Sequence, residues 1–420
     1  MNFERSQYSS NTVADQLCDP SSYLAQREGR AMPVLLWIVV LAMVTRMTVF
    51  SRQRAEGEFA TIDSSAMAQI FIVGLTCCLL LFSTRLKQVC KSISHTSLGL
   101  LIGYYLLGAV SALWSPMPKY SLYRAFEASS QLLAVALAMS YCRDFRAAER
   151  RVLLISFLTL ILPIAARFKS VGFAFSLSAW HTNSYSASAA MIFCYCLGEL
   201  LTATEERRTL LGFGALVALF WLVLSTSAGS YIAALCGIAV IGVLARNRGM
   251  LLMSLLIGIV LLFFLAGRKD ILFKALFPNK SVEAVETLHG RRRLWDHYIE
   301  KAKEKPLLGH GSFVTHHIGE FAVNNTHNSF FTVLVGTGLL GLGVVTVGLL
   351  RLASETRMAA YSASSGFIGC TSAFTVCLVN SMNLPIIWDQ WRPPYLVFAC
   401  FLCLHTLYLI PGLGRQDAAK

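Results

Sequence analysis

The chain has 420 residues, 55% hydrophobic and only 14% charged, with a mean hydropathy of +0.58 and a formal charge of +13. Soluble domains carry about a quarter charged residues, so the composition excludes an ordinary cytosolic enzyme, a nucleic-acid-binding protein and a disordered chain. Lys and Arg outnumber Asp and Glu by 36 to 23; in an apolar chain that excess belongs to cytoplasmic loops before it points to nucleic acid.

Residues 1–30 are polar, rich in Ser, Asp and Arg, and lack the basic-then-apolar pattern of a cleavable signal peptide; they are expected to form a cytoplasmic tail. Apolar runs follow at about 33–50, 66–82, 97–113, 126–141, 151–166, 184–201, 210–226, 229–245, 249–266, 327–350, 363–383 and 393–411, each close to the ~20 residues that cross a bilayer as a helix. The expected fold is an all-α polytopic membrane protein of about twelve transmembrane helices. Spans one to nine occupy 31–266, a large periplasmic loop fills 267–326 between spans nine and ten, spans ten to twelve occupy 327–411, and 412–420 is a cytoplasmic tail. With the N-terminus inside, the inner segments carry 18 basic residues and the short outer loops 7, which is the positive-inside bias. The twelve Cys lie mostly within apolar runs and none falls in 267–326, so they are read as small hydrophobes.

The loop 267–326 holds ten basic and seven acidic residues, and six of the nine His lie in it or at its edge: His289, His297, His310, His316, His317 and His327. Leu294, Trp295, Tyr298, Ile299 and Ala302 share one helical face, and Pro306 stops that helix. Such a helix can lie in the interface with its apolar face toward lipid or the bundle. Arg291-Arg292-Arg293 stands at its start, and His327-Asn328-Ser329-Phe330 opens the tenth span.

The series Gly290-Arg291, Trp295, Pro306-Leu307-Leu308-Gly309-His310-Gly311, His327-Asn328-Ser329-Phe330, Gly338, Gly341 resembles the O-antigen ligase / Wzy-type polysaccharide polymerase superfamily. Trp114-Ser115-Pro116, His181-Thr182-Asn183 and Ser225-Thr226-Ser227 are similar to further family elements. The resemblance covers roughly 110–345, and 290–341 is its specific part. The serine turn continues with Ala228 where the family commonly has Arg, and Gly336 holds the place of an acid often found before the glycine; Arg124 is a candidate replacement for the missing Arg.

The resemblance implies transfer of an oligosaccharide from undecaprenyl diphosphate to an acceptor hydroxyl at the periplasmic face of the bacterial inner membrane. The implied partners are a lipid-linked donor, a glycan or lipid A core acceptor, the bilayer and, for a polymerase, a chain-length regulator. The residue chemistry suits that reaction. The diphosphate leaves with negative charge, which the planar donor fork of Arg matches; the attacking hydroxyl loses a proton, which a His titrating near neutrality accepts. His327 and Arg291 are the candidate catalytic residues; Arg292, Arg293, Arg124, His181, Asn183, Asn328 and Trp295 are the candidate substrate-binding residues. No cofactor and no metal are expected, since arginines can supply the charge stabilisation and His310 with His316-His317 fits no firm ligand pattern.

Plainer readings stand beside these. His327 can be an interfacial cap, the arginine trio can meet lipid headgroups, Arg124 can simply pair with Glu127 three residues on, and His181 and Asn183 can cap the sixth span. The glycines at 336, 338, 341 and 343 are read as helix-packing residues. Polymerase leads, ligase is close behind, and a transporter or flippase is the alternative class; no convincing internal repeat of the transporter kind is visible.

Overall fold

Each of the twelve apolar runs coincides with a helix in the computed structural model, which describes residues 31–49, 64–171, 183–267, 291–318, 326–361, 366–388 and 392–410. The helices are α1 (Ala31–Val49), α2 (Ser64–Phe82), α3 (Leu86–Ile93), α4 (Ser97–Val110), α5 (Pro118–Ser140), α6 (Phe145–Val171), α7 (Asn183–Leu200), α8 (Glu205–Leu224), α9 (Ala228–Leu244), α10 (Arg248–Gly267), α11 (Arg291–Glu304), α12 (Ser329–Tyr361), α13 (Phe367–Ser381) and α14 (Pro393–Tyr408). No strand occurs among the described residues.

By length and composition alone, α8 and α12 are long and apolar enough to cross a membrane. A third span is added if α2 and α3, bent by 94° at their break, count as one. Large apolar side chains such as Phe71, Leu81, Phe82, Leu113, Phe213 and Leu216 stand exposed, an outer surface suited to lipid rather than water.

Inside, α14 is buried from Pro394 to Thr406 and packs on α5, α6, α7 and α13. α7 is buried from Tyr185 to Cys196. Its small residues Ser186, Ala187, Ser188, Ala189 and Ala190 let α9 and α13 approach closely, as membrane helix interfaces require when apolar surface alone gives no preference over lipid.

The bundle has two ends. One carries α11, the starts of α5, α7, α9, α12 and α14, and the ends of α4, α8 and α13. At the opposite end three buried acids are tied down. Arg207 reaches Glu149 at 2.5 Å and Glu199 at 3.2 Å, and Tyr195 donates to Glu149 at 2.8 Å. Glu199 also accepts the Gly369 N–H at 3.1 Å, at the start of α13. Glu355 accepts the Ser97 N–H at 2.9 Å and the Ser97 hydroxyl at 2.5 Å, at the start of α4, and Arg351 adds an ion pair at 3.1 Å. Carboxylates at helix N-termini satisfy free N–H groups and complement the helix dipole.

Candidate functional site

α12 is broken at its tenth residue: Gly338 sits at φ 63°, ψ −159°. A broken membrane helix frees backbone groups that need partners, and the turn after α11 supplies them. His310 N–H donates to Val335 O (2.8 Å) and Gly311 N–H to Gly336 O (2.8 Å); Leu339 N–H donates to Pro306 O (2.8 Å) and Leu340 N–H to Leu307 O (3.1 Å). The two backbones run so close that a Cβ on Gly309, itself at φ 67°, would lie 2.5 Å from Gly336 O. Gly338 is therefore a breakpoint rather than the packing residue its sequence setting implies, because only a residue without Cβ takes this conformation freely.

The same turn is tied to the start of α5. Ser312 N–H donates to Ser111 Oγ at 2.8 Å, Ser121 Oγ donates to Ser312 O at 2.7 Å, and the Trp114 indole N–H donates to Leu308 O at 3.1 Å. Phe313 stacks on Tyr105 with centroids 6.3 Å apart. The Trp-Ser-Pro turn at 114–116 and the glycine turn at 306–311 are thus one structural unit.

α11 buries Leu294, Tyr298 and Ala302, spaced by four, against Val335, with Leu334 and Ile318 packed alongside. Ile299, grouped with the apolar face by sequence, is exposed. Tyr298 OH donates to Thr315 O at 3.2 Å. The Trp295 indole donates to Thr326 O at 3.0 Å, and its ring lies 5.8 Å from Phe331. That bond pins α11 to the residue before His327. Arg291 lies four residues before Trp295, on the same helix face one turn away. It is half-buried, and burial pulls its pKa below the ordinary arginine value. Among the described residues no carboxylate pairs with it. Arg292 and Arg293 are exposed, and Gly290 lies outside the described residues.

In the His-Asn-Ser-Phe segment the neighbours of His327 are committed. Asn328 Oδ1 accepts the N–H groups of Phe330 (2.8 Å) and Phe331 (3.2 Å), capping α12, and its Nδ2 donates to Met382 O at 3.2 Å. Ser329 Oγ accepts from Ile386 N–H at 3.0 Å and donates to Leu384 O at 3.4 Å. His327 is half-buried between these anchors, with its backbone left-handed at φ 51°. Among the described residues, five non-glycine residues have positive φ: Thr226, Phe313, His327 and Trp388 lie at the α11 end and Arg246 at the other. Strained backbone concentrates where function holds a side chain in place.

Arg124 is paired as the plainer reading had it. It bonds Glu127 at 2.8 Å, and Arg46 approaches the same carboxylate at 3.6 Å, with Gln69 hydrogen-bonded to both Arg46 and Glu127. Arg124 also lies over the Tyr120 ring at 5.2 Å, and Tyr120 meets His317 edge-on at 5.0 Å. His181 lies outside the described residues; Asn183 opens α7, with its side chain undescribed. Trp388 is buried against Phe330 at 5.5 Å.

Sequence reasoning passed over a polar layer beside the serine turn. Ser230 donates to Ser186 Oγ at 3.0 Å and Asn380 Oδ1 at 3.1 Å, all three buried. Each sits singly inside an apolar run, so only their convergence marks them. Sequence reasoning weighed His310 only as a motif residue and a metal ligand, whereas His310 lines an open cavity of about 330 Å³ with Trp114, Lys301, Glu304, Lys305 and Ile318. Neither Arg291 nor His327 lines that cavity. Lys301 bonds Glu304 at 2.6 Å and holds that carboxylate below its usual range. Among the described residues no three His, Cys, Asp or Glu side chains gather as a metal would require.

Residues 213–346 match the O-antigen ligase family model, from α8 through the serine turn, α11 and the Gly338 break. Over that stretch the chain is similar to the O-antigen ligase family. The exopolysaccharide production protein ExoQ of Rhizobium meliloti is 25% identical over 298 residues, covering 61% of this chain and 66% of that protein, just under two thirds of its length. The apolar helices and the exposed apolar surface agree with a membrane protein.

Proposed function

We propose that this protein is an inner-membrane glycosyltransferase that joins undecaprenyl-diphosphate-linked oligosaccharide repeat units into exopolysaccharide or O-antigen at the periplasmic face. The observation that carries the reading is Arg291, a half-buried guanidinium with no carboxylate beside it among the described residues, one turn from the tryptophan that is bonded next to His327. A cation stripped of water and left without an opposite charge is poised for an anion. The donor's diphosphate is such an anion, and a bidentate guanidinium suits it.

In the reaction the acceptor hydroxyl attacks the anomeric carbon. The new C–O bond forms as the bond from that carbon to the diphosphate oxygen breaks. The electron pair leaves with the diphosphate, which Arg291 steadies with Arg292 and Arg293 near, and the hydroxyl proton passes to His327. The left-handed backbone at His327 and the fixed neighbours Thr326 and Asn328 aim the imidazole. Twelve membrane spans, with α11 and the start of α12 on the periplasmic side, follow from the basic-residue bias.

A ligase that moves finished glycan to lipid A core is the second reading, favoured by the match to the O-antigen ligase family; the relative named for exopolysaccharide production favours the polymerase. A labelled undecaprenyl-diphosphate repeat supplied alone separates them. Longer lipid-linked chains mean polymerase, and product only on adding a core acceptor means ligase. In either case His327→Ala lowers transfer by about 10²–10⁴-fold while the protein still inserts; full activity in that variant removes His327 from the mechanism.

A further inference from the structure

The cavity under the end of α11 is used by none of the chemistry above. Two cationic side chains line it, Lys301 and Lys305, against one carboxylate, Glu304. Lys301 is bound to Glu304, whereas Lys305 has no carboxylate partner among the described residues. One wall is therefore left with a net positive charge. Trp114 also lines the cavity, and its indole N–H is taken by Leu308 O, so the ring is held in one orientation; Pro116 and Ile318 extend the apolar lining. His310 Nε2 lies 2.9 Å from Lys301 O and fixes the end of α11 that carries Lys301 and leads into Lys305. At about 330 Å³ the cavity falls in the range of small-ligand pockets, roughly 300–1,000 Å³.

An aromatic and apolar lining together with an ammonium that has no carboxylate partner among the described residues matches a sugar ring bearing a carboxylate. The ring's C–H face lies on the indole, and the acid reaches the lysine. A bare phosphate or lipid headgroup would use the cation and leave the apolar wall unmatched. The site is also separate from the reacting bond, since Lys301 lies ten residues along α11 from Arg291, about 15 Å by helix rise.

We propose that this cavity is a subsite for an acidic sugar residue, a uronate or other carboxylate-bearing unit, of the glycan handled by the enzyme. Lys305 is its charge-recognising residue and Trp114 its stacking face. The inference rests on the glycan-transfer reading and names its substrate class.

The test is binding of a glucuronate-containing tetrasaccharide, and of the same tetrasaccharide with its carboxyl reduced to the alcohol, to the purified full-length protein. The expected result is tighter binding of the acidic probe to the unaltered chain. Lys305→Gln should weaken the acidic probe by about fivefold and leave the neutral probe unchanged. Lys303→Gln, on the neighbouring pair with Glu300 (2.6 Å) that does not line the cavity, should change neither. Equal binding of both probes by the unaltered protein, or an equal loss of both in Lys305→Gln, overturns the proposal. His327→Ala protein binds both probes normally if subsite and transfer centre are distinct. An acid preference in unaltered protein that transfers no lipid-linked repeat keeps the subsite and discards the transferase.

Discussion

The Glu149–Arg207–Glu199 knot at one end of the bundle and the mouth beneath α11 at the other draw on the same residue types with opposite results. At the knot a half-buried arginine meets two carboxylates, a tyrosine hydroxyl joins them, and the start of α13 contributes an N–H. Glu355 is satisfied in the same manner at the start of α4. Among the described residues each of these carboxylates finds its partners within the fold. At the mouth Arg291 is half-buried without a carboxylate among the described residues, Lys305 is likewise unmatched, and four left-handed non-glycine residues gather. Arg124 stands between these cases: it lies at the α11 end, yet shares Glu127 with Arg46. Paired charge marks scaffold, and unpaired desolvated charge marks the place reserved for a partner.

That contrast can be broken most sharply at the knot. Arg207→Ala strands two buried carboxylates, and removing one partner of a buried pair costs about 3–5 kcal/mol. Thermal unfolding should fall steeply, while transfer per folded molecule stays near that of the unaltered protein. A specific loss of transfer with stability intact would place function at the wrong end.

A smaller effect sharpens the picture at the break in α12. Gly338→Ala puts a Cβ where φ is 63° and where the Leu307 backbone already lies. The strain is of order 1–3 kcal/mol. The four hydrogen bonds between 306–311 and 335–340 should weaken together, read as faster amide exchange at His310, Gly311, Leu339 and Leu340 and as reduced transfer. Unchanged exchange at those amides would show that the turn does not depend on the break.

The sequence made the helices legible because long apolar runs have few alternatives in a bilayer. Pro306 likewise marked the end of α11, which stops at Glu304. The helix that carries Arg124 starts eight residues before its apolar run, at Pro118, because hydropathy registers lipid-facing composition and misses polar turns buried against neighbours. The break at Gly338 was hidden for a related reason. Periodicity counts side chains, whereas the break is a backbone event stabilised by a turn some thirty residues earlier. Of the candidate site, the residue types and order were visible, but the division of labour was not. Asn328 and Ser329 are held by α12 and by the 382–386 segment, and Trp295 by Thr326; no spacing rule distinguishes such anchors from ligand-binding groups.

Binding of a short-chain isoprenyl diphosphate to the purified protein tests the central claim most directly, because it reads the anion site without requiring chemistry. Arg291→Ala should weaken binding by about 10- to 100-fold. Arg291→Lys should recover only part of it, since an ammonium keeps the charge and loses the two-pronged geometry, and Arg292→Ala on the exposed neighbour should have the smaller effect. Undiminished binding in folded Arg291→Ala protein would contradict the account.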